Sequence, residues 1–327
     1  MKKFAGLLAA TSLLLTSAAF SSGAMAQDWP DEEKVVSVVV PFAAGGGTDT
    51  AFRQLTEEVK KYLPARVQIV NISGAGSAKG TNEMLQMPAD GYAVLASGTH
   101  TIGATMQGLT PGYDQLDQIL GLNWDPFIVA VLKSRPYKDF DGLVAAAKEK
   151  PGSICLGNAG MGGATGLASV GINLKFDRAF NVTPFNGGQN LRADVLGGRC
   201  EAGIFSQSEI LANAEELQPL VVLYENRSTL DALSHVPTLA ETGHGDLAVP
   251  GGSYKSLAVH KDVPADVKKI LADTFAQAFK SEAYAEFMAN NGVIADFSEG
   301  DAAEAYFQSL VEGFEPLVRE AGLYNKK

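Results

Sequence analysis

From Val35 onward the chain repeats one local pattern: a short run of β-branched residues, a turn crowded with Gly, Ser, Thr and Asn, then an amphipathic helical stretch. This restricts the fold more than any other feature, because strand–turn–helix units in series build parallel sheets whose turns gather at the carboxyl ends of the strands. The first unit is typical. Residues 35–40 are apolar apart from one Ser, as a strand covered on both faces requires. They run into Pro41-Phe42-Ala43-Ala44-Gly45-Gly46-Gly47-Thr48-Asp49, after which Phe52, Leu55 and Val59 recur at helical spacing. Thr48 is the expected N-cap.

Two such sets follow one another. The first has strands at 35–40, 67–70 and 93–96; the second starts after Trp124-Asp125-Pro126, with strands at 127–132, 153–156, 181–185, 202–205 and 220–223. After Gly251-Gly252 the chain turns back through a strand at 254–259, a long helix opened by Pro264 and a last helix expected to be capped at Ser298. Two αβ lobes with a final segment returning to the first predict a two-lobed clamp. Its expected divisions are residues 27–125 plus 252–327 for lobe 1 and 126–251 for lobe 2.

The first 26 residues read as an export address rather than as part of the fold: Lys2 and Lys3, an apolar stretch from Phe4 to Phe20, and a small-x-small site at Ala24-Met25-Ala26. Cleavage after Ala26 would leave Gln27 at the start of an exported, periplasmic chain. With no Cys at that position, no lipid anchor is expected. The 327 residues carry a net charge of −11, and losing Lys2 and Lys3 makes the mature chain −13. A surface so acidic, without a run of Lys or Arg, excludes nucleic acid and anionic membrane as partners. Cys155 and Cys200 lie on strands that a doubly wound order puts side by side; a bridge and two buried thiols are both compatible with an oxidising compartment.

Five of the turns, in both sets, present backbone N–H groups at the start of a helix, where about half a positive charge resides. One such turn means little, since glycine is common there; five argue for a cleft that binds an anion. Thr99 and His100 follow the third strand, and Ser206 ends a strand of the second set, so these residues also face the expected cleft. Catalytic and cofactor signatures are missing. Gly74-Ala75-Gly76-Ser77-Ala78-Lys79-Gly80 is one residue too long for a dinucleotide fingerprint, and Lys79-Gly80-Thr81 inverts the P-loop order. The four histidines lack metal-ligand spacing, and no G-x-S-x-G elbow occurs. No metal, cofactor or catalytic set is therefore expected, although a secreted enzyme using Asp49 or His100 as general acid or base, and a sensory module docking on a membrane kinase, stay as alternatives.

Several stretches resemble, in order, the Bug-type extracytoplasmic solute receptors, the substrate-binding proteins of tripartite tricarboxylate transporters: Val39-Val40-Pro41-Phe42 with Gly45-Gly46 and Thr48-Asp49; Gly74-Ala75-Gly76; Asp90-Gly91-Tyr92; Val236-Pro237-Thr238-Leu239-Ala240-Glu241; and Ala321-Gly322-Leu323. The resemblance implies a type II periplasmic-binding-protein fold, two αβ lobes joined by two crossing strands, closing as a monomer on a small solute, often a carboxylate, for delivery to membrane permease subunits. It implies contacts from Phe42, Ala43, Gly46, Thr48 and Asp49, and from Gly74, Ala75, Gly76 and Ser77. In the second lobe Asn158, Gly160, Thr165, Asn186, Gly187 and Gln189 correspond by position. Ala44 stands where the family commonly has proline, and Ser73 and Ser77 flank Gly-Ala-Gly where Pro and Gly are frequent. On this reading the Asp49 carboxylate orients the first loop, and binding rests on the backbone of the glycine loops more than on any charged side chain; if the φ of Gly46 or the closeness of the ligand excludes a Cβ there, Gly46→Val abolishes binding.

Overall fold

The computed structural model describes residues 29–247 and 249–326; the export segment and its cleavage site lie outside them. In chain order the elements are β1 Val35–Val40, α1 Gly47–Val59, β2 Arg66–Asn71, α2 Ala78–Met84, β3 Ala93–Gly98, α3 Thr99–Met106, β4 Leu116–Leu132, α4 Phe140–Glu149, β5 Ile154–Asn158, α5 Ala164–Lys175, β6 Phe180–Pro184, α6 Gly188–Leu196, β7 Ala202–Ser206, α7 Gln207–Leu211, β8 Leu217–Val222, β9 Gly252–His260, α8 Ala265–Phe279, α9 Glu282–Asn291, β10 Ile294–Glu299 and α10 Asp301–Glu320.

The strands join in the order β2-β1-β3-β9-β4-β7-β5-β6, with β8 and β10 also paired to β4. In one lobe β1 lies parallel to β2 and β3, as the βα units demand; in the other β5 lies parallel to β6 and β7. The 17-residue strand β4 ties the halves together. From Leu116 to Pro126 it runs antiparallel to β9, and from Phe127 to Leu132 antiparallel to β7 and β8. Pro126 stands opposite Gly252, so the two chain crossings lie side by side.

Two details differ from the sequence-based expectation. Trp124-Asp125-Pro126 was expected to separate two sets of elements; it lies inside β4, because residues 116–126 pair with β9 and so stay extended. Ser298 was expected to cap the last helix, but it belongs to β10, an antiparallel partner of β4, and α10 begins at Asp301 behind Gly300. The apolar stripes do what their spacing implies. Phe52, Leu55 and Val59 of α1 meet Val267, Leu271 and Phe275 of α8 in one core, and Phe140, Leu143, Leu156 and Ile172 centre a second. Burying a side chain of this size contributes about 1.5–3 kcal/mol, which gives each lobe its own source of stability.

Cys155 and Cys200 are joined, with Cα atoms 5.1 Å apart. The bridge is possible because β5 and β7 are neighbours and Cys200 lies just ahead of β7, free of the ladder's constraint. That separation falls within the range a disulfide spans without backbone distortion.

Candidate functional site

Between the lobes lies a pocket lined by Phe42, Gly46, Gly47, Thr48, Thr99, His100, Phe127, Ala159, Gly163, Ala164, Thr165, Gly188, Ser206, Glu209, Ser253 and Lys255. Its composition follows from topology. The starts of α1, α3, α5 and α6 all reach it, two from each lobe, and at none of the four does an N-cap side chain accept a hydrogen bond from the helix. Each end therefore keeps first-turn N–H groups for another acceptor. A fifth helix, α7, begins at the wall but is closed by its own capping box between Ser206 and Glu209.

The first loop is held from behind. Asp49 is buried, and its carboxylate accepts from the Gly45 N–H at 2.8 Å, from Arg53 Nε at 2.9 Å and from Asn71 Nδ2 at 2.8 Å. Asn71 also donates to the Phe42 carbonyl. Burial pushes the Asp49 pKa up, but the donors from Arg53, Gly45 and Asn71 together hold it below its ordinary value. Thr48 is not the cap: the helix starts at Gly47 with Gly46 as N-cap, and Gly46, Gly47 and Thr48 all line the pocket. Gly46 has φ −87°, and a Cβ there would stand 3.8 Å from Glu209 Oε1, an ordinary contact. The crowded position is Gly47, where a Cβ would lie 2.7 Å from Ser206 Oγ.

On the opposite wall of the same lobe, Gly98 has φ +147°, and a Cβ there would run into the Tyr254 carbonyl, so only glycine lets β3 come this close to β9. Gly98 pairs with Lys255, which puts the start of α3 next to that lysine. His100 is buried, with Nε2 3.0 Å from the Ala96 carbonyl, so this nitrogen carries the proton and donates. Burial, helped by the nearby Lys255 ammonium, pulls its pKa down to about 4, so the imidazole is neutral at physiological pH. Phe42 packs edge-on against its ring at 4.9 Å.

Of the residues expected at the site, Phe42, Gly46, Thr48, Thr99, His100, Thr165 and Ser206 come together at the pocket. The others sit around it. Ala43 closes against Gly187, and Gly45 lies beside Gln189, at the rim where the lobes meet. Asn186 accepts from the Asn190 side chain within its own loop. Asn158 is fully buried, its Oδ1 accepting from Gly160 N–H and its Nδ2 donating to Ser169, while the Thr165 hydroxyl accepts from Ala159 N–H. These two shape the loop ahead of α5. Gly74, Ala75, Gly76 and Ser77 form a turn pressed on residues 160–163 of the other lobe, with Ser77 donating to the His100 carbonyl.

Sequence reasoning missed Glu209 and Lys255. Glu209 Oε2 accepts from both the N–H and the hydroxyl of Ser206, at 3.0 Å each; burial raises its pKa against those bonds, and Asp125 adds to the rise. Lys255, the one cation in the wall among the described residues, is 1% exposed. A charge within the apolar run Tyr254-Lys255-Ser256-Leu257-Ala258-Val259 was the signal that could have found it. Among the described residues no His, Cys, Asp and Glu cluster suited to a metal occurs.

Two αβ lobes joined by paired crossing strands, with a small pocket of helix N-termini from both lobes, define a solute-binding protein of the type II periplasmic class. More narrowly, the chain belongs to the TctC family, the tripartite tricarboxylate transporter family receptors, whose model matches residues 51–323. It is 25% identical over 323 residues to protein BugT of Bordetella pertussis, covering 97% of each chain. Among solved structures it is similar to an R. palustris protein with adipate, at 24% identity and TM-score 0.81, covering 90% of this chain and 99% of that one. It is also similar to MatC from Rhodopseudomonas palustris with bound malate, at 20% identity and TM-score 0.78, covering 87% and 99%.

Proposed function

We propose that the protein is an exported receptor that captures a small carboxylate-bearing solute by closing its lobes and hands it to the permease subunits of a tripartite tricarboxylate-type transporter. The observation that carries this reading is the convergence of four helix starts without side-chain caps, two from each lobe, on one pocket. Oriented N–H dipoles replace the hydration of an anion most effectively where closure keeps bulk water out. Because the four starts are divided between the lobes, the full set is assembled only when the clamp shuts. Binding and closure are then one event.

In this reading lobe 1 comprises residues 27–125 and 252–327 and lobe 2 residues 126–251, with the hinge at Pro126 and Gly252, where β4 changes partners. The first turns of α1, α3, α5 and α6 hold the ligand, Phe42 and Phe127 cover its apolar part, and the turns at Gly74–Ser77 and Asn158–Gly163 serve closure more than contact. Adipate and malate in structurally similar proteins support a short dicarboxylate as the first candidate. The export signal of the first 26 residues supports a periplasmic site of action, with the mature chain working as a monomer.

The test is a thermal-shift screen of the mature protein against mono-, di- and tricarboxylates and their amides, followed by calorimetry. A ligand present at 100 times its Kd stabilises by about 2.7 kcal/mol. A shift confined to carboxylates supports the reading; a shift with neutral or cationic solutes alone overturns it.

A further inference from the structure

We infer that Lys255 is a ligand-binding residue whose ammonium forms an ion pair with a carboxylate of the solute; this rests on the carboxylate reading above. Lys255 lies on β9, where its neighbours across the sheet are Gly98 on one side and Asn123 on the other. This position is the floor of the cleft, at the chain crossing, and Lys255 lines the pocket together with Thr99. Its Nζ is buried and makes no hydrogen bond, although an ammonium has three to donate. The nearest carboxylate oxygen, Asp125 Oδ2, stands 3.6 Å away and already accepts from the Ser208 hydroxyl at 2.6 Å, while Asp125 Oδ1 accepts from the Ser208 N–H. Asp125 therefore balances the charge of Lys255 without using its donors.

A buried ammonium is costly unless it is both paired and hydrogen-bonded, and at 3.6 Å the Asp125 oxygen pairs with Lys255 from just beyond hydrogen-bond reach. The Thr99 hydroxyl, on the same wall, is likewise buried without a partner. Two unpartnered polar groups, an ammonium and a hydroxyl, at one end of a pocket of helix starts make a subsite for an oxyanion. Burial weakens the proton's hold on Lys255, and the Asp125 and Glu209 carboxylates oppose that effect; a ligand carboxylate acts in the same direction as these two and favours the charged lysine. Of the other lining groups near it, His100 is neutral, and Glu209, whose Oε2 is engaged with Ser206, shares with Asp125 the balancing of the Lys255 charge. Backbone dipoles admit any anion, but a full cation at a fixed point demands an ionised acid there. The inferred ligand class is thus an organic acid that loses most of its affinity when the group at Lys255 is converted to an amide.

The experiment uses calorimetry on the mature protein with malate, adipate and the monoamides of each. Lys255→Met keeps the length of the side chain and removes its charge, and is expected to weaken diacid binding at least 100-fold. Because that change leaves Asp125 buried without a counter-charge, the double variant Lys255→Met, Asp125→Asn is measured alongside it, with circular dichroism for folding. The double variant is expected to melt near the wild type, still bind at least 100-fold more weakly, and show a diacid-to-monoamide preference reduced to within about threefold of unity. Wild-type affinity or selectivity in the folded double variant, or in Lys255→Met itself, overturns the role of Lys255 and leaves the carboxylate receptor standing. If the wild type binds neither these two acids nor any other carboxylate of the thermal-shift screen, the receptor reading fails and this inference fails with it; if another acid of the screen binds, that acid and its amide replace malate and adipate in the same comparison.

Discussion

At single-residue scale, Asp49 and His100 are the two groups that a search for catalysis singles out, and both are engaged structurally. Asp49 has its carboxylate consumed by Gly45, Arg53 and Asn71. Asp49→Asn is expected to cost about 1–2 kcal/mol in chemical denaturation, at the low end for a charged hydrogen bond because Arg53 is half-exposed and screened. Binding should weaken less than tenfold, since the variant keeps one oxygen. The wild-type contribution is present above the ordinary carboxyl value of 3.8 and is lost as pH falls through the lower folded value, so the difference between the two proteins should shrink in acid. His100 titrates over a different range. Folding lowers its pKa from 6.5 to about 4, so the unfolded chain binds the extra proton between those values, and stability present above pH 6.5 drains away as pH falls toward 4. The loss is on the order of 3 kcal/mol. A melting-temperature series should show that slope in the wild type and a flatter one in His100→Asn; equal slopes would mean that His100 does not resist protonation. Two neighbouring glycines of the first loop differ in how much room the protein leaves them. Gly46 has space for a Cβ, whereas Gly47 faces Ser206 and Ser208 of the other lobe. Gly46→Ala should keep affinity within a few-fold, and Gly47→Val should abolish it while leaving the fold intact.

Among the elements, two of the turns expected to hold ligand meet each other: Gly74–Ser77 lies against residues 160–163, while Ala159 and Gly163 at the ends of the second turn still line the pocket. A Cβ on Gly76 would stand 2.5 Å from the Gly162 nitrogen, and one on Gly162 would stand 2.8 Å from the Ala75 carbonyl; Gln107 Nε2 donates across the same gap to the Met161 carbonyl at 2.9 Å. The turn is bent to make this contact: Ala75 and Ser77 have φ of +48° and +95°, a conformation costly without glycine. Backbone against backbone is the tightest approach two loops can make, so the closure proposed above would depend on missing side chains here. Gly162→Val should hold the lobes apart, seen as a larger radius of gyration by small-angle scattering with ligand present and as at least tenfold weaker binding, with no loss in the stability of the free protein. Normal compaction in this variant would remove the contact from the closing mechanism. The Cys155–Cys200 bridge stabilises the other lobe on its own. It closes a loop of 45 residues, for which loop entropy gives roughly 4 kcal/mol. Reduction should lower the unfolding free energy by about 2–4 kcal/mol without changing affinity, because the bridge joins β5 to the start of β7 away from the pocket.

Over the whole molecule, a chain of net charge −11, or −13 without residues 1–26, is inferred to bind an anion, so the long-range field opposes the approach of its ligand while the cleft attracts it at short range. Screening weakens only the first of these. The association rate for a dicarboxylate should therefore rise roughly two- to threefold between about 10 mM and 150 mM salt, measured by stopped-flow fluorescence; a falling rate would mean that the positive potential of the site extends beyond the cleft. Much of this architecture could be read in the chain itself. The αβ class, two lobes, the returning last segment and the anion-friendly turns follow from local pattern, since β-branched runs, glycine turns and helical stripes specify their own conformation. Even the side-by-side placement of Cys155 and Cys200 was available from strand order. What local pattern cannot encode is a partner far away in sequence. Residues 116–126 became strand because β9, more than a hundred positions later, offered them a ladder, and residues 294–299 became strand because β4 did. The same reason governs the site. Gly74–Ser77 and residues 160–162 carry the same glycine signature as the loops that line the pocket, and only the way the two lobes pack decides which turns line it and which meet each other. Lys255 shows the complementary limit: its charge was visible in an apolar strand, but its distance from Asp125, its lack of a hydrogen bond and its place on the cleft floor exist only once β3, β4 and β9 lie side by side.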